Sequence, residues 1–320
     1  MALRGGIDLG GTKIEAIVVD DSHAVLGSAR RATPADGGPP GVTKELAAAL
    51  EEAAAAAGVE PRSLGGVGVG SPGQVDPDQG TVAKAGNLPD WSDPFPLAAT
   101  LAEQLGTRVV LGNDVRVAVE AERVLGAGVS HPSFLGVWWG TGIGGAVVLD
   151  GKLWLGRGSA GEIGHVVVKL GGARCLCGRR GCLEAYAGRG AMERRARKAE
   201  SDGEKTKLFE IMQKHGRTRL TSGVWATALV RGDKLAQSLI DEAVEALGAG
   251  IGSVVNVLDV GAVVIGGGLG TRFGEPYVER IAAAAAPHLF VADRPPAFLA
   301  AELGDQGGAI GAALLVDERD

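Results

Sequence analysis

All three cysteines of the chain, Cys175, Cys177 and Cys182, stand within eight residues, and His165 precedes the first by ten. Three thiolates and an imidazole make a complete tetrahedral set for zinc, a borderline-soft ion that takes sulfur and nitrogen ligands. Gly178 and Gly181 lie among the cysteines, where a backbone folding round one ion needs tight turns and positive φ. Two other readings use the same residues. One is three buried thiols beside a satisfied histidine. The other is a disulfide, which would strand one thiol in a chain with nothing else that points to secretion. The compact spacing favours the metal. Glu162 and Glu184 flank the set. A structural zinc supplies about 10–16 kcal/mol of ordering in small peptides, enough to turn both carboxylates into fixed acceptors for several hydroxyls.

Other stretches carry chemistry of a different kind. Gly10-Gly11-Thr12-Lys13 is a turn between two strand-like runs whose amides could cradle phosphate oxygens, with Lys13 adding charge; an ordinary hairpin turn is the competing reading. It is not the G-x-x-x-x-G-K-[ST] loop, because a strand follows it and not a helix. Asp8 on the preceding strand points to that turn and is placed to hold magnesium through water. Gly140-Thr141-Gly142 is a second such turn, expected to oppose the first across a cleft. Gly266-Gly267-Gly268 offers bare backbone against which a nucleotide base or ribose could lie. Asn113-Asp114 ends a strand and begins a helix, which suits either an N-cap or a general base at a strand's carboxyl end. Asn87 and Trp91 sit in the loop GNLPDWSDPFP, as caps, packing residues or binding residues. Two G-x-G-x-x-G matches, at Gly68 and at Gly140, lack the following helix that a dinucleotide fingerprint requires.

The elements that must position these residues follow from periodicity and breakers. Residues 6–20 and 133–150 both read as strand, glycine turn, strand, which suggests an internal duplication. Helices are expected over 42–57, 97–105, from about 115, over 235–258, 279–286 and 307–315. Strands are expected over 64–73, 108–111, 262–265 and near 298–302, with a polar loop over 74–80. The Trp138-Trp139 pair reads as strand core and not as a stacking platform. The charge-rich stretch 193–221 reads as a solvated helix pair or mobile flap.

Length and composition bound the rest. A chain of 320 residues exceeds a typical single core, so two domains are expected. It is 45% hydrophobic and 22% charged, ordinary for a globular protein, and its 53 glycines cluster after short apolar runs. A net charge of −6 argues against nucleic-acid and membrane-surface partners. No apolar stretch is long enough to span a bilayer and no leader precedes the first strand, so a soluble cytoplasmic protein is expected.

Taken together, the segments GIDLGGTK, GSPGQVD, GNLPDW, GND, WGTGIGG, GEIGH, CLCGRRGCLE, VVIGGG and LGDQGGAIGAA resemble, in order and over nearly the whole chain, the ROK family of sugar kinases. That resemblance implies an α/β, two-lobed actin-like (ribonuclease H-like) ATPase fold with a cleft between lobes and a zinc-binding loop. It implies a small lobe over 1–115 completed by a helix at 305–320, and a large lobe over 116–304 carrying the zinc loop 161–184. It further implies Asp114 as catalytic base and Asn87, Asn113, Asp114, Glu162, His165 and Glu184 as sugar-binding positions. His165 would ligate zinc, with Cys175, Cys177 and Cys182, through one ring nitrogen and donate to a sugar hydroxyl through the other. Gly10, Gly11, Thr12, Lys13, Gly140, Thr141 and Gly142 would be phosphate-binding turns beside Asp8, and Gly266, Gly267 and Gly268 the adenosine motif.

The expected activity is transfer of phosphate from ATP with Mg2+ to a hexose, glucose foremost. Other hexoses or N-acetylhexosamines, and polyphosphate as donor, are the alternatives. The relatives are usually homodimers or homotetramers. A sugar-responsive repressor on the same fold would need an added helix-turn-helix, for which no room precedes Gly6. A non-catalytic sugar sensor would not need Asp114 or intact phosphate turns. Val115-Arg116-Val117 and the Trp138-Trp139 pair depart from the family pattern.

Overall fold

The computed structural model describes residues 3–86 and 88–317. They fall into two compact units, one formed by the chain up to Gly126 with the segment from Glu302 onward, the other by Ala127–Ala301.

In the first unit the chain runs through strands β1 (Arg4–Leu9), β2 (Lys13–Val19) and β3 (Val25–Ala32), then helix α1 (Gly38–Ala56). Strand β4 (Val67–Ser71), a short hairpin of β5 (Gln74–Asp76) and β6 (Thr81–Ala83), helix α2 (Leu97–Leu105), strand β7 (Val109–Asn113) and helix α3 (Asp114–Leu125) follow. The sheet order is β3-β2-β1-β4-β7. Residues 74–80, expected to be loop, are thus partly a paired hairpin. Val75 faces Val82 across it, enough apolar alternation for two three-residue strands.

Alternation along the strands divides the core. Ile7, Leu9, Ile14 and Val69 pack with Val42, Leu46, Leu50 and Ala53 of α1, a set at helical spacing. Ile17 and Val19 pack instead with the closing helix α11 (Gly307–Leu314). That helix comes unusually close to its neighbours. A Cβ on Gly6 would stand 2.0 Å from the Ala309 carbonyl oxygen, and one on Gly68 1.7 Å from that of Ala312. Glycines at these two positions let helix backbone lie on strand backbone. Helix α3 packs on α11 in the same way, with Gly311 against the Val117 carbonyl. The division therefore falls after α3, at Gly126, and not at the expected 115/116. The returning segment rejoins at Glu302, where the buried Glu122 carboxylate accepts the amides of Glu302 and Leu303 at 3.1 and 2.9 Å.

The second unit repeats the pattern. Strands β8 (Phe134–Trp139), β9 (Ile143–Leu149), β10 (Lys152–Trp154), β11 (Ala262–Gly266) and β12 (Ala297–Ala300) assemble in the order β10-β9-β8-β11-β12. In each sheet the first three strands in chain order pair antiparallel and the last two join in parallel. The duplication suggested by the two strand-turn-strand segments is therefore present in topology.

Helices α4 (Glu184–Ala187), α5 (Arg189–Ser201), α6 (Leu208–Lys214), α7 (Ser222–Val230), α8 (Lys234–Leu258), α9 (Gly267–Phe273) and α10 (Glu275–Ala285) complete this unit. The charge-rich stretch forms α5 and α6, and it is not a bare solvated pair. Met192, Ala196, Leu208, Phe209, Ile211 and Met212 are buried in the unit's core. Trp139 is core as well, with its indole N–H donating to the Ala187 carbonyl at 2.8 Å; Trp138 is half-buried. Among the described residues, no helix is long and apolar enough to cross a membrane.

Candidate active site and metal centre

The three thiols and the imidazole converge. One ligand atom from each of His165, Cys175, Cys177 and Cys182 lies within 4.8 Å of all the others. Cys177 Sγ and Cys182 Sγ are 3.7 Å apart, and Cys175 Sγ is 3.9 Å from His165 Nδ1. A tetrahedron with Zn–S near 2.3 Å and Zn–N near 2.05 Å requires about 3.8 Å between sulfurs and about 3.6 Å between sulfur and nitrogen. The residues fit zinc. A disulfide would demand about 2.05 Å and does not describe the pair.

Local sequence explains the geometry. The loop is pinned by antiparallel bridges between Val167 and Cys182 and between Arg174 and Arg180. Gly178 and Gly181 have φ of +89° and +83°, the turn conformation expected of them. As free thiols, burial would push Cys175 up to about 12, while hydrogen bonding to Arg179 pulls Cys177 down to about 6.

Glu184 stands beside this cluster at the start of α4. Its Oε1 is 3.9 Å from Cys175 Sγ, and its Oε2 accepts the Ile143 amide at 3.0 Å. Ile143 directly follows the Gly140-Thr141-Gly142 turn, whose Gly140 amide donates to the Gly142 carbonyl at 3.0 Å. A Cβ on Gly142 would stand 2.3 Å from Glu184 Oε2, so an alanine there would push that carboxylate aside. Glu162 is exposed, and its backbone carbonyl accepts the His165 amide at 3.0 Å.

Gly266 to Gly268 do more than end β11. Gly267, at φ +81°, turns the chain into α9, and Gly266 lies against the Trp138 indole. Ser222, the first residue of α7, sits beside Gly268. Arg189, not singled out from the sequence, bonds to the 140–142 turn by main chain and side chain. Its amide donates to the Gly140 carbonyl at 3.1 Å and its guanidinium to the Thr141 hydroxyl at 2.7 Å. The only available signal was a lone arginine between two glycines in YAGRGAM.

In the first unit, Asp114 begins α3 at the carboxyl end of β7. Its Oδ1 accepts the Val115 amide at 2.9 Å and the Asn113 side-chain N–H at 3.0 Å. The cap is Asn113, which accepts the Arg116 amide at 3.2 Å; Asp114 is not needed for that role. Asp8 is pushed up to about 7, by burial first, then by the charge of Asp114, with Glu15 and Asp305 adding to it and Lys13 opposing. The Gly10 amide donates to the Lys13 carbonyl at 2.9 Å, closing the first turn, while Gly11 and Thr12 are exposed. Lys13 Nζ lies 3.1 Å from Asp305 and 4.0 Å from Glu15, so its charge already has carboxylate partners. Asn87 lies outside the described residues; its neighbour Trp91 is buried and donates to the Val82 carbonyl at 2.9 Å, a packing role.

Known proteins resemble the chain in both sequence and structure. The model of the ROK family matches residues 4–319. The glucokinase of Thermotoga maritima is 33% identical over 322 residues, covering 98% of this chain and 97% of its own. Among solved structures, the ROK family glucokinase of Streptomyces griseus, in complex with glucose and AMPPNP, superposes with a TM-score of 0.83 at 32% identity, over 99% of this chain and 100% of its own. The ROK hexokinase of Thermus thermophilus gives 0.77 at 36% identity, over 99% of both chains.

Proposed function

The chain belongs to the ROK family, and from that premise we propose that it is a glucokinase that transfers the γ-phosphoryl group of ATP to glucose, forming glucose 6-phosphate and ADP. The observation that carries this reading is the full-length likeness to glucokinases, with the actin-like fold repeated in both sheets.

Phosphoryl transfer asks the protein chiefly for positioning and charge stabilisation. Asp114 takes the proton of the attacking hydroxyl as the new O–P bond forms and the bond to the ADP oxygen breaks. Asn113 supports this role, because its side-chain N–H holds one oxygen of Asp114 in place. Glu162, Glu184 and the free ring nitrogen of His165 read the remaining hydroxyls, together with Asn87 and Asn113. The glycine turns at 10–13 and 140–142 present amides to the phosphates, and Gly266 to Gly268 receive the nucleoside.

Zinc, held by His165, Cys175, Cys177 and Cys182, would supply rigidity to the loop that carries these acceptors. Magnesium, held through water near Asp8, would neutralise phosphate charge, and the crowding of Asp8 by Asp114, Glu15 and Asp305 suits a cation there. A cytoplasmic location and a homodimeric or homotetrameric state belong to the same proposal, the latter checked by light scattering.

The test is coupled ADP release from the purified protein over glucose, mannose, fructose, N-acetylglucosamine and N-acetylmannosamine, with ATP or polyphosphate as donor and metal analysis of the same sample. Glucose with ATP should give the highest kcat/KM, and zinc should be present. ADP release with none of these sugars would overturn the assignment.

A further inference from the structure

Arg189 is held by neutral oxygens from two different elements. It opens α5, and three contacts fix it: its amide to the Gly140 carbonyl at 3.1 Å, one guanidinium nitrogen to Thr141 Oγ1 at 2.7 Å, and the other to Ser222 Oγ at 3.4 Å. The two hydroxyls come from different elements, the 140–142 turn and the first turn of α7. A Cβ on Gly268 would stand 3.2 Å from the same Ser222 oxygen, so the hydroxyl that braces the guanidinium also borders the glycine run at the start of α9.

No carboxylate among the described residues forms an ion pair with this half-buried cation. The acid nearest in influence, Glu193, is taken by Arg197 at 2.7 Å and Arg219 at 3.1 Å. Burial, and then the like charge of Arg219, make Arg189 harder to keep protonated than an ordinary arginine. A structure that desolvates a guanidinium, gives it only neutral oxygens and locks its fork is prepared for an oxyanion with at least two oxygens.

We propose that Arg189, braced by Thr141 and Ser222, binds the phosphate chain of the phosphoryl donor. The inference rests on the kinase reading, which makes the 140–142 turn and Gly266 to Gly268 the donor's side of the site. It goes beyond that reading by adding a side-chain cation to the amides of the 140–142 turn.

The experiment measures affinity for a non-hydrolysable ATP analogue and for inorganic tripolyphosphate by calorimetry, in wild type and in Arg189→Ala and Arg189→Lys, with steady-state constants for ATP and glucose. Arg189→Ala should weaken both ligands and raise KM for ATP at least tenfold while KM for glucose stays within twofold. Arg189→Lys should recover part of the loss, because it restores charge without the fork. On wild type, the ATP analogue should protect Arg189 from phenylglyoxal, read by peptide mass spectrometry, which needs no variant to fold. Unchanged donor affinity in Arg189→Ala together with unprotected modification of Arg189 would overturn the proposal. Absence of nucleotide binding by wild type would instead overturn the kinase reading.

Discussion

The amide of Ile143 donates to Oε2 of Glu184 across 3.0 Å, joining the residue after a glycine turn to a carboxylate beside the metal ligands. The other oxygen, Oε1, lies 3.9 Å from Cys175 Sγ, so one side chain touches the cluster and the turn together. On the functional reading, the sugar acceptor and a donor-binding turn share this anchor. Glu184→Ala should therefore raise KM for glucose and for ATP together, while zinc content stays unchanged because Glu184 is not a ligand. Gly142→Ala, which would press a methyl onto Oε2, should do the same. A rise in the glucose constant alone would show that the turn does not depend on Glu184.

Metal binding is separable from packing because the ligands differ in burial. Cys177 is exposed, whereas Cys182 is fully buried. Cys177→Ala therefore removes a sulfur without opening a cavity in the core. It should lose most of the bound zinc, lower the thermal midpoint and weaken glucose binding, and chelation of the wild-type protein should reproduce all three. Full activity in a zinc-free Cys177→Ala preparation would refute the link between metal and sugar.

Much of this is legible in the sequence where the contacts are local. Helix α2 matches its expected bounds because a proline precedes it, a glycine follows it, and Leu97, Leu101 and Leu105 recur every fourth residue. The zinc cluster was visible because ligands close in sequence must be close in space. The lobe boundary was not, because α3 joins the first unit through a contact with α11 nearly two hundred residues away, where Gly311 meets Val117. Arg189 was hidden for the same reason, since its partners Thr141 and Ser222 lie on either side of it at long range. The charge-rich stretch reads as solvated because its apolar residues are few, yet those it has are buried along α5 and α6.

Glu193 is a buried carboxylate serving two arginines. Burial opposes its ionisation, but hydrogen bonds from Arg197, Arg219 and the Leu220 amide outweigh it and hold its pKa below the ordinary glutamate value of 4.5. A depressed pKa contributes stability that is present above that value and is lost as pH falls through the folded-state pKa. Glu193→Gln should thus lower the urea midpoint at neutral pH, and its gap from wild type should narrow as pH drops below the ordinary value. A gap that stays constant into the acid range would mean that the carboxylate's charge contributes nothing.

Backbone contact between α11 and the first sheet leaves no room for side chains at Gly6 and Gly68. Neither glycine has a positive φ, so an alanine there tests space and not conformation. Gly68→Ala should destabilise the protein by about 3 kcal/mol, the upper part of the range for overpacking, because the obstructing atom is a carbonyl oxygen that cannot swing aside. Urea unfolding measures this, and a loss under about 0.5 kcal/mol would show that α11 yields readily.

Asp114→Asn tests the chemistry with the least disturbance of the fold. The helix keeps its cap, since Asn113 supplies it, and an asparagine oxygen at 114 can still accept from Val115 and Asn113. What disappears is the capacity to take a proton. General-base assistance is worth about a hundredfold to ten-thousandfold, so kcat should fall by that order. Glucose affinity, measured by calorimetry, should change far less, because hydrogen bonding to the hydroxyl survives in the amide. The thermal midpoint should remain near that of wild type. A variant that keeps near-normal kcat would remove Asp114 from the reaction, whereas one that loses glucose affinity and kcat equally would make it a sugar-binding residue and no base.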